Sequence, residues 1–127
     1  YLCARWCQVK RCECDLSLLG EWEAVTAALA NYQALELQGS VILINDQVRA
    51  FSCGELLNEA TAVIHLEKAD PELRGLYAVI NQQFCRQAWA EVDFVNREQD
   101  LGEPGLRTAK MSYHPHHLVE KFRIRLA

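Results

Sequence analysis

Polar residues capable of binding and proton transfer are crowded into one short stretch of the chain. The stretch is FVNREQDLGEPGLR, residues 94–107, and it begins with a short apolar run. The residues of interest in it and just after it are Asn96, Arg97, Glu98, Asp100, Arg107 and Lys110. A guanidinium binds a carboxylate or phosphate with paired hydrogen bonds, and a carboxylate holds an ammonium or removes its proton. This combination suits the binding of a charged ligand.

The same stretch also fits an ordinary solvated loop. Arg97 would then pair with Glu98 or Asp100, and the glycines and proline would form the turn into the next helix. Polar groups concentrated just past a strand end are nevertheless typical of ligand sites. From the residues alone, the solvated loop and the ligand site both remain open.

Other residues with chemical potential lie outside this stretch. Tyr113 could donate or accept a proton, or it could be a hydrogen-bonded core tyrosine. His65 lies inside a predicted strand, where a structural role is common. The histidines of HPHH, residues 114–117, lack further ligands at a recognisable spacing, and Cys3, Cys7, Cys12 and Cys14 match no zinc-site spacing. We predict no metal site.

Hydrophobic patterning predicts the elements that position these residues. Apolar side chains at three- and four-residue steps indicate a helix over residues 16–34. Three strands follow in the segments GSVILIND, QVRAFSCGELL and TAVIHLEKA, separated by Asn45-Asp46 and Asn58-Glu59 turns. Together they form an antiparallel meander.

The residue pattern of the second half of the chain predicts a β-α-β crossover. A helix in GLYAVINQQFCRQAWA leads to a short strand at 92–96, which is expected to lie parallel to the third strand. A helix over 105–113 follows, and the alternation in LVEKFRIRL predicts a half-exposed final strand. The fold class is α/β (α+β), a mixed sheet with helices on both faces, and residues 1–127 form a single domain.

Charge and composition restrict the functional classes. The net charge is −4, with +4 from Arg107 onward and −8 before it. A general DNA binder would be basic overall, so only a local phosphate contact near the C-terminal end is expected. No apolar run approaches the roughly 18 residues of a membrane span. The first residues lack the layout of a signal peptide, which favours reduced cysteines and a cytoplasmic location.

Three segments resemble one family of bacterial proteins. GELLNEATAVIHLEKAD, YAVINQQF and FVNREQDLGEPGLRTAKMSYHP resemble the phosphatidylglycerol lysyltransferase C-terminal-like family, a branch of the GNAT-type acyltransferases, over residues 18–122. The predicted element order also matches the GNAT core, where two parallel strands splay and the ligand enters the gap. Members carry two GNAT-like halves, and this chain resembles the second.

The resemblance implies a GNAT-fold acyltransferase-like domain. It would transfer an aminoacyl or acyl group to an amine or hydroxyl acceptor, with aminoacyl-tRNA or acyl-CoA as the donor and no certain cofactor. Glu98 and Tyr113 are the candidate catalytic residues. Arg97, Arg107 and Lys110 would orient the donor, with Asn96 and Asp100 beside the ligand.

A second candidate site precedes the middle helix, in EKADPELRGLY. GNAT enzymes bind the pyrophosphate of coenzyme A there, with an Arg/Gln-x-x-Gly-x-Gly/Ala loop at a helix N-terminus. This chain offers Arg74 and Gly75, while Asp70 and Glu72 would repel phosphate. The simpler interpretation is a plain helix start with Arg74 in solvent.

A competing hypothesis is a ligand-binding or assembly module without catalysis. A lone second half would then pair with an N-terminal GNAT-like half or with another copy in a homodimer. This hypothesis predicts exposed apolar surface.

Overall fold

The computed structural model describes residues 2, 4, 8 and 16–126, apart from the side chains of residues 16–19. Cys3, Cys7, Cys12 and Cys14 lie outside the described residues. The elements over 16–126 are the helices α1 (Leu16–Ala30), α2 (Leu76–Ala88) and α3 (Pro104–Met111), and the strands β1 (Gln38–Ile44), β2 (Gln47–Asn58), β3 (Thr61–Ala69) and β4 (Phe94–Asn96). Every helix in this part of the chain is too short or too polar to span a bilayer.

The four strands form one mixed sheet in the order β1-β2-β3-β4. β1, β2 and β3 are antiparallel neighbours, and β4 lies parallel to β3. Asn45 and Asp46 make the first turn with φ values of 53° and 58°, as a two-residue hairpin turn of this hand requires. The predicted meander and β-α-β crossover are confirmed, and the architecture is consistent with a GNAT-like fold.

A β-bulge interrupts the pairing of β2 with β3. Cys53 is paired with Leu66, but the next residue, Gly54, is paired with Ile64, so His65 is an extra residue in β3. A bulge bends its strand and re-aims the side chains that follow. Side chains on β3 therefore change faces at this point.

The consequence of the bulge is visible in the contacts of β3. Before it, Ala62 and Ile64 pack under α2. After it, Ala69 packs under α2 in a second cluster, and Glu67 reaches Asn81 of that helix. A regular strand would have turned Glu67 to the other face, because side chains alternate with a period of two. The bulge thus brings a carboxylate under α2.

The core lies between α2 and the sheet. One cluster joins Leu76 and Ile80 to the sheet residues Ala50 and Ala69. The other contains Phe84, which is fully buried and meets Trp89 edge to face at 5.5 Å between ring centroids. Burying such side chains stabilises the fold by about 1.5–3 kcal/mol each. α2 is thereby fixed on one sheet face.

The helix α1 belongs to the other face. Its Glu21 forms an ion pair with Lys68, whose side chain is 5% exposed. Lys68 follows Glu67 in β3 and points to the opposite side of the sheet. The prediction of helices on both faces is confirmed.

The prediction of a final strand in LVEKFRIRL is wrong. Residues 118–126, here called the C-terminal segment, contain no helix or strand. Phe122, Ile124 and Leu126 are 83%, 93% and 100% exposed. A strand forms only where a neighbour accepts its backbone hydrogen bonds, and none of the described strands lies beside this segment.

Candidate functional site

The carboxyl end of β4 opens a gap in the sheet. Three residue pairs join β3 to β4, and the last of them is Val63 with Asn96. β3 continues to Ala69, whereas the chain leaves the sheet after Asn96. Open α/β sheets bind ligands beyond the carboxyl ends of their strands. We call this region the β3–β4 gap.

A polar network fills one side of the β3–β4 gap. Arg97 donates from Nη2 to Glu67 Oε1 at 2.6 Å. Asn81 Nδ2 and Ser52 Oγ donate to the other carboxylate oxygen at 3.0 and 3.4 Å. Glu67 has only 9% of its side chain exposed, so its charge requires these partners. The network fixes the guanidinium at the mouth of the gap.

The Arg97 guanidinium retains hydrogen-bonding capacity. Its Cζ lies 4.2 Å from the centre of the Tyr113 ring, which covers one face of the group. Its Nε and Nη1 are buried and have no hydrogen-bond partner in the structure. Buried N–H donors are normally satisfied by protein, water or ligand. Two donors of the guanidinium therefore lack a partner in the structure.

A histidine between two carboxylates occupies the other side of the gap. His65 Nδ1 lies 2.7 Å from Glu98 Oε1, and Nε2 lies 2.9 Å from Glu55 Oε1. Burial lowers the pKa of His65, but the hydrogen bonds and charges of Glu55 and Glu98 outweigh it and raise that pKa above its usual value. When the ring is protonated, it donates to both carboxylates. The Glu55–His65–Glu98 group then carries one net negative charge.

The segment that carries Arg97 and Glu98 is held by its own backbone contacts. Asn96 Oδ1 accepts the Glu98 N–H at 2.7 Å, and Glu98 has a left-handed φ of 54°. Lys110 Nζ donates to the carbonyls of Arg97 and Gln99 at 2.5 and 2.6 Å. Burial and the neighbouring Arg97 charge lower the pKa of Lys110. α3 thereby anchors the polar stretch at the gap.

Asp100 and Arg107 lie at the outer end of the same stretch. Asp100 Oδ1 accepts the Gly102 N–H at 3.0 Å and so stabilises the turn into α3. Arg107 Nε lies 3.4 Å from Asp100 Oδ2, with 67% of the Arg107 side chain exposed. Arg107 thus remains largely available to solvent and to a ligand.

An apolar cavity of about 300 Å³ adjoins the histidine side of the gap. It lies between α1, the following turn, and the sheet. Its lining residues are Ala24, Ala28, Leu35, Leu37, Cys53, Glu55, His65 and Leu66. Glu55 and His65 are its polar members, so an apolar group in the cavity would meet charge at one end. Burial raises the pKa of the Cys53 thiol, which keeps it neutral.

The sequence profile of the family described as "Phosphatidylglycerol lysyltransferase, C-terminal" matches residues 2–125. The chain belongs to this family. No curated protein matches the chain. The match to the phosphatidylglycerol lysyltransferase C-terminal family confirms the resemblance seen in the sequence.

One solved structure resembles this member of the phosphatidylglycerol lysyltransferase C-terminal family over most of its length. It is a conserved protein of unknown function from Bacteroides thetaiotaomicron VPI-5482, 39% identical, with a TM-score of 0.84 over 91% of this chain. The chain spans 39% of the length of that protein. The two proteins therefore share the same fold over the matched region.

The sequence-predicted residues fall into two groups. Arg97, Glu98, Lys110 and Tyr113 converge at the β3–β4 gap, with Asn96 supporting them and Asp100 and Arg107 at its outer end. Arg74 and Gly75 lie apart from this group, at the start of α2. Their ligand roles remain predictions.

The charge near the start of α2 is less negative than the sequence predicted, because Asp70 is paired with Arg49. Gly75 adopts a φ of 83°, and a Cβ there would meet no atom within 4 Å. Arg74 is exposed. Asp70 is buried and paired with Arg49 at 2.6 Å, so its charge is compensated within the domain. Repulsion of a phosphate by Asp70 is therefore weaker than the sequence suggested.

No group of three or more His, Cys, Asp or Glu side chains among the described residues has the arrangement of a metal site. His116 and His117 are exposed and lie against the Phe94 ring, with centroid distances of 5.5 and 5.7 Å. Their contacts tie the chain after α3 to β4.

Five residues of the site were not predicted from the sequence as functional candidates, namely Ser52, Glu55, His65, Glu67 and Asn81, and of these His65 was expected to be structural. Asn81 carried a signal, because it lies on α2 beside the apolar positions Ile80 and Phe84 and is 6% exposed. A buried amide on such a face requires a polar partner. Glu67 lies on the α2 face of the sheet because of the bulge, and no local sequence pattern predicts that bulge.

The raised pKa of His65 predicts that the stability of the fold depends on pH. A pKa raised above 6.5 in the folded state adds stability that is fully present below pH 6.5 and is lost as the pH rises through the folded-state pKa. We expect His65→Gln to reduce the free energy of unfolding more at pH 6 than at pH 9. Urea unfolding at both pH values measures this difference, with His114→Gln, an exposed histidine, as the control. An equal effect of His65→Gln at both pH values would contradict the arrangement.

Proposed function

We propose that this domain binds an aminoacyl or acyl donor at the β3–β4 gap and supports transfer of the acyl group to an amine or hydroxyl acceptor. The name of the family points to lysyl transfer to phosphatidylglycerol, and the site chemistry is compatible with that class of reaction. The donor is an aminoacyl ester such as aminoacyl-tRNA in the leading version of the proposal. Acyl-CoA is the alternative donor.

The observation that carries this proposal is the position of Arg97 and of the Glu55–His65–Glu98 group at the β3–β4 gap. Arg97 presents two unpartnered N–H donors on one side, and the Glu55–His65–Glu98 group presents net negative charge on the other. An aminoacyl ester has the matching pair of features, namely a carbonyl oxygen and an ammonium group. The apolar cavity beside His65 can take the aliphatic part of such a group.

Transfer at this site requires no covalent enzyme intermediate. The acceptor nitrogen or oxygen attacks the ester carbonyl carbon, the ester C–O bond breaks, and the former ester oxygen leaves as a hydroxyl. Glu98 accepts the proton of the acceptor and gives it to the leaving oxygen, while His65, 2.7 Å away, orients the Glu98 carboxylate. The free N–H groups of Arg97 stabilise the charge that develops on the carbonyl oxygen.

The remaining predicted residues take supporting roles in this proposal. Lys110 holds the backbone of residues 97–99 through two carbonyls, so it positions Arg97 and Glu98. Asn96 fixes the Glu98 backbone, and Asp100 orients Arg107. Arg107 is exposed enough to contact the phosphate of a donor. Tyr113 keeps the Arg97 guanidinium in its plane.

The test of this proposal is the substitution Glu98→Gln. It removes the proton acceptor and one negative charge, so we expect binding of a non-hydrolysable lysyl-adenosine analogue to weaken roughly tenfold to a hundredfold. Transfer from lysyl-tRNA should fall about a hundredfold or more, since general bases contribute that much. Calorimetry measures the binding, and release of labelled lysine from the tRNA to phosphatidylglycerol vesicles or a soluble amine measures the transfer.

The matched control is Glu103→Gln, which removes the same charge from an exposed carboxylate just before α3. We expect this variant to bind and transfer like the unaltered chain. Unchanged binding and transfer in Glu98→Gln would show that the assigned role is wrong. Equal losses in both variants would indicate a general effect of charge instead of a site.

A second candidate function is ligand binding or assembly without catalysis. The observation that favours it is the internal pairing of the site, in which Arg97 is bonded to Glu67 and Glu98 to His65. The chain also spans only 39% of the related structure. Binding of the lysyl-adenosine analogue without any transfer from lysyl-tRNA would support this alternative.

A further inference from the structure

His65 faces a carboxylate with each of its two ring nitrogens. Nδ1 lies 2.7 Å from Glu98 Oε1, and Nε2 lies 2.9 Å from Glu55 Oε1. An ionised carboxylate accepts hydrogen bonds and donates none, so both contacts are hydrogen bonds only when each ring nitrogen carries a proton. The arrangement therefore fits the imidazolium form of His65, and a neutral ring can serve only one of the two carboxylates.

The charged groups that face the ring belong to two parts of the chain. Glu55 comes from β2, and Glu98 comes from the residues after β4. α1 faces the ring across the apolar cavity with the uncharged side chains of Ala24 and Ala28. Burial opposes the charge of the ring, but the two carboxylates outweigh it and raise the pKa of His65. Among the described residues, Glu55 and Glu98 thus set the protonation of the ring.

Loss of one proton forces a choice between the two carboxylates. If the remaining proton stays on Nδ1, the ring donates to Glu98, and the lone pair of Nε2 faces Glu55. If it stays on Nε2, the ring donates to Glu55, and the lone pair of Nδ1 faces Glu98. A lone pair and a carboxylate oxygen repel each other at these distances. The carboxylate that loses its donor therefore moves away from the ring.

Glu55 has fewer alternative partners than Glu98. Its carboxylate borders the apolar cavity, where a missing partner matters more than in bulk water. His65 is the one cationic partner of Glu55 among the described residues. The charge of Glu98 also acts on the Lys110 ammonium, where it partly offsets the lowering of the Lys110 pKa by burial. Releasing Glu98 from the ring therefore costs less free energy than releasing Glu55.

The backbone around Glu98 permits this release. The Glu98 N–H donates to Asn96 Oδ1 at 2.7 Å, and Lys110 Nζ donates to the carbonyls of the residues on either side of Glu98. These contacts hold the backbone without the Glu98 side chain. The carboxylate can therefore leave His65 while the backbone stays in place.

We propose that Glu55 is a positioning residue of the β3–β4 gap, which keeps the last proton of His65 on Nε2 and so releases Glu98 when the ring is deprotonated. Glu55 acts through the ring, because the hydrogen bond at one nitrogen of a histidine decides where its proton lies. The Glu98 carboxylate is oriented while His65 is an imidazolium and turns away at higher pH. The consequence for transfer rests on the proposed function, whereas the position of the proton does not.

Nitrogen NMR of the labelled chain tests the position of the proton directly. Above the end of the His65 titration, we expect the unaltered chain to carry the proton on Nε2. Glu55→Gln should move it to Nδ1, because the glutamine amide donates to Nε2 while Glu98 remains an acceptor. Glu98→Gln should leave it on Nε2. The signal that is missing in His65→Gln identifies the ring.

The matched control is Glu59→Gln, which removes an exposed carboxylate at the turn between β2 and β3. It should leave the proton on Nε2 and the pKa of His65 unchanged, whereas Glu55→Gln and Glu98→Gln should each lower that pKa. A proton on Nδ1 in the unaltered chain or in Glu98→Gln would overturn the proposal. A proton that stays on Nε2 in Glu55→Gln, with backbone amide signals like those of the unaltered chain, would overturn it as well.

The pH dependence of transfer separates this proposal from the proposed function. Transfer from lysyl-tRNA to phosphatidylglycerol vesicles is measured for Glu55→Gln and for the unaltered chain. The ratio of the two rates should rise roughly tenfold as the pH passes through the His65 pKa, because the variant keeps Glu98 oriented. A constant or falling ratio would overturn the release of Glu98. Absence of transfer in every chain would overturn the proposed function, and the ring measurement would still decide where the proton lies.

Discussion

Among the Gly→Ala substitutions in this chain, Gly54→Ala should destabilise the domain most. An added Cβ at Gly54 would lie 2.1 Å from the Val63 carbonyl oxygen and 3.1 Å from Ile64 Cα. Both are backbone atoms of β3, so no side chain can move aside to make room. We expect a loss of about 3 kcal/mol or more in the free energy of unfolding. Urea unfolding followed by circular dichroism measures it.

The matched control is Gly105→Ala. Gly105 lies in α3, and a Cβ there meets nothing within 4 Å. Alanine favours a helix over glycine, so this change should be neutral or stabilise by up to about 1 kcal/mol. If Gly54→Ala and Gly105→Ala changed the free energy of unfolding equally, the close approach of β2 and β3 beside the bulge would be incorrect.

Glu67→Ala should be the most destabilising change among the polar residues of the site. It removes the acceptor of Arg97, Asn81 and Ser52 at once and leaves the guanidinium without its counter-charge. Breaking one partner of a buried ion pair typically costs 3–5 kcal/mol, and Arg97 is 24% exposed, so we expect about 2–4 kcal/mol. Urea unfolding of the variant measures this loss.

Two comparisons separate the buried pair from a general charge effect. Arg107→Gln breaks the exposed contact with Asp100 and should change the free energy of unfolding by at most about 0.5 kcal/mol. The double variant Glu67→Leu with Arg97→Met should recover part of the loss, because it leaves no unpaired charge behind. A Glu67→Ala variant as stable as Arg107→Gln would contradict the network.

Local patterns predicted the parts of the fold that depend on neighbouring residues in the chain. β3 was predicted over its observed span of Thr61–Ala69, because its apolar residues and flanking turns are local signals. The parallel pairing of β3 with β4 followed from the length of the crossover between them. The polar residues after β4 were found because they are adjacent in sequence.

The missed parts depend on contacts between distant residues. The bulge at His65 exists only in the pairing of β3 with β2, so the facing of Glu67 under α2 was beyond local reasoning. On α2 the apolar Val79 is 46% exposed, while the polar Asn81 is buried and donates to Glu67. The C-terminal segment has a strand pattern but no neighbour to pair with.

The most direct test of the β3–β4 gap as an acyl-transfer site is a thermal-shift titration of the chain with an aminoacyl-adenylate analogue, free amino acids and acetyl-CoA. A ligand that binds the folded state raises the melting temperature, by an amount that grows with its concentration over Kd. We expect the aminoacyl-adenylate analogue to raise it in the unaltered chain and not in Glu98→Gln. If acetyl-CoA raised the melting temperature of the unaltered chain but not of Arg74→Ala, the donor would bind at the start of α2 and not at the β3–β4 gap. No shift with any of these ligands would contradict the proposed transfer site.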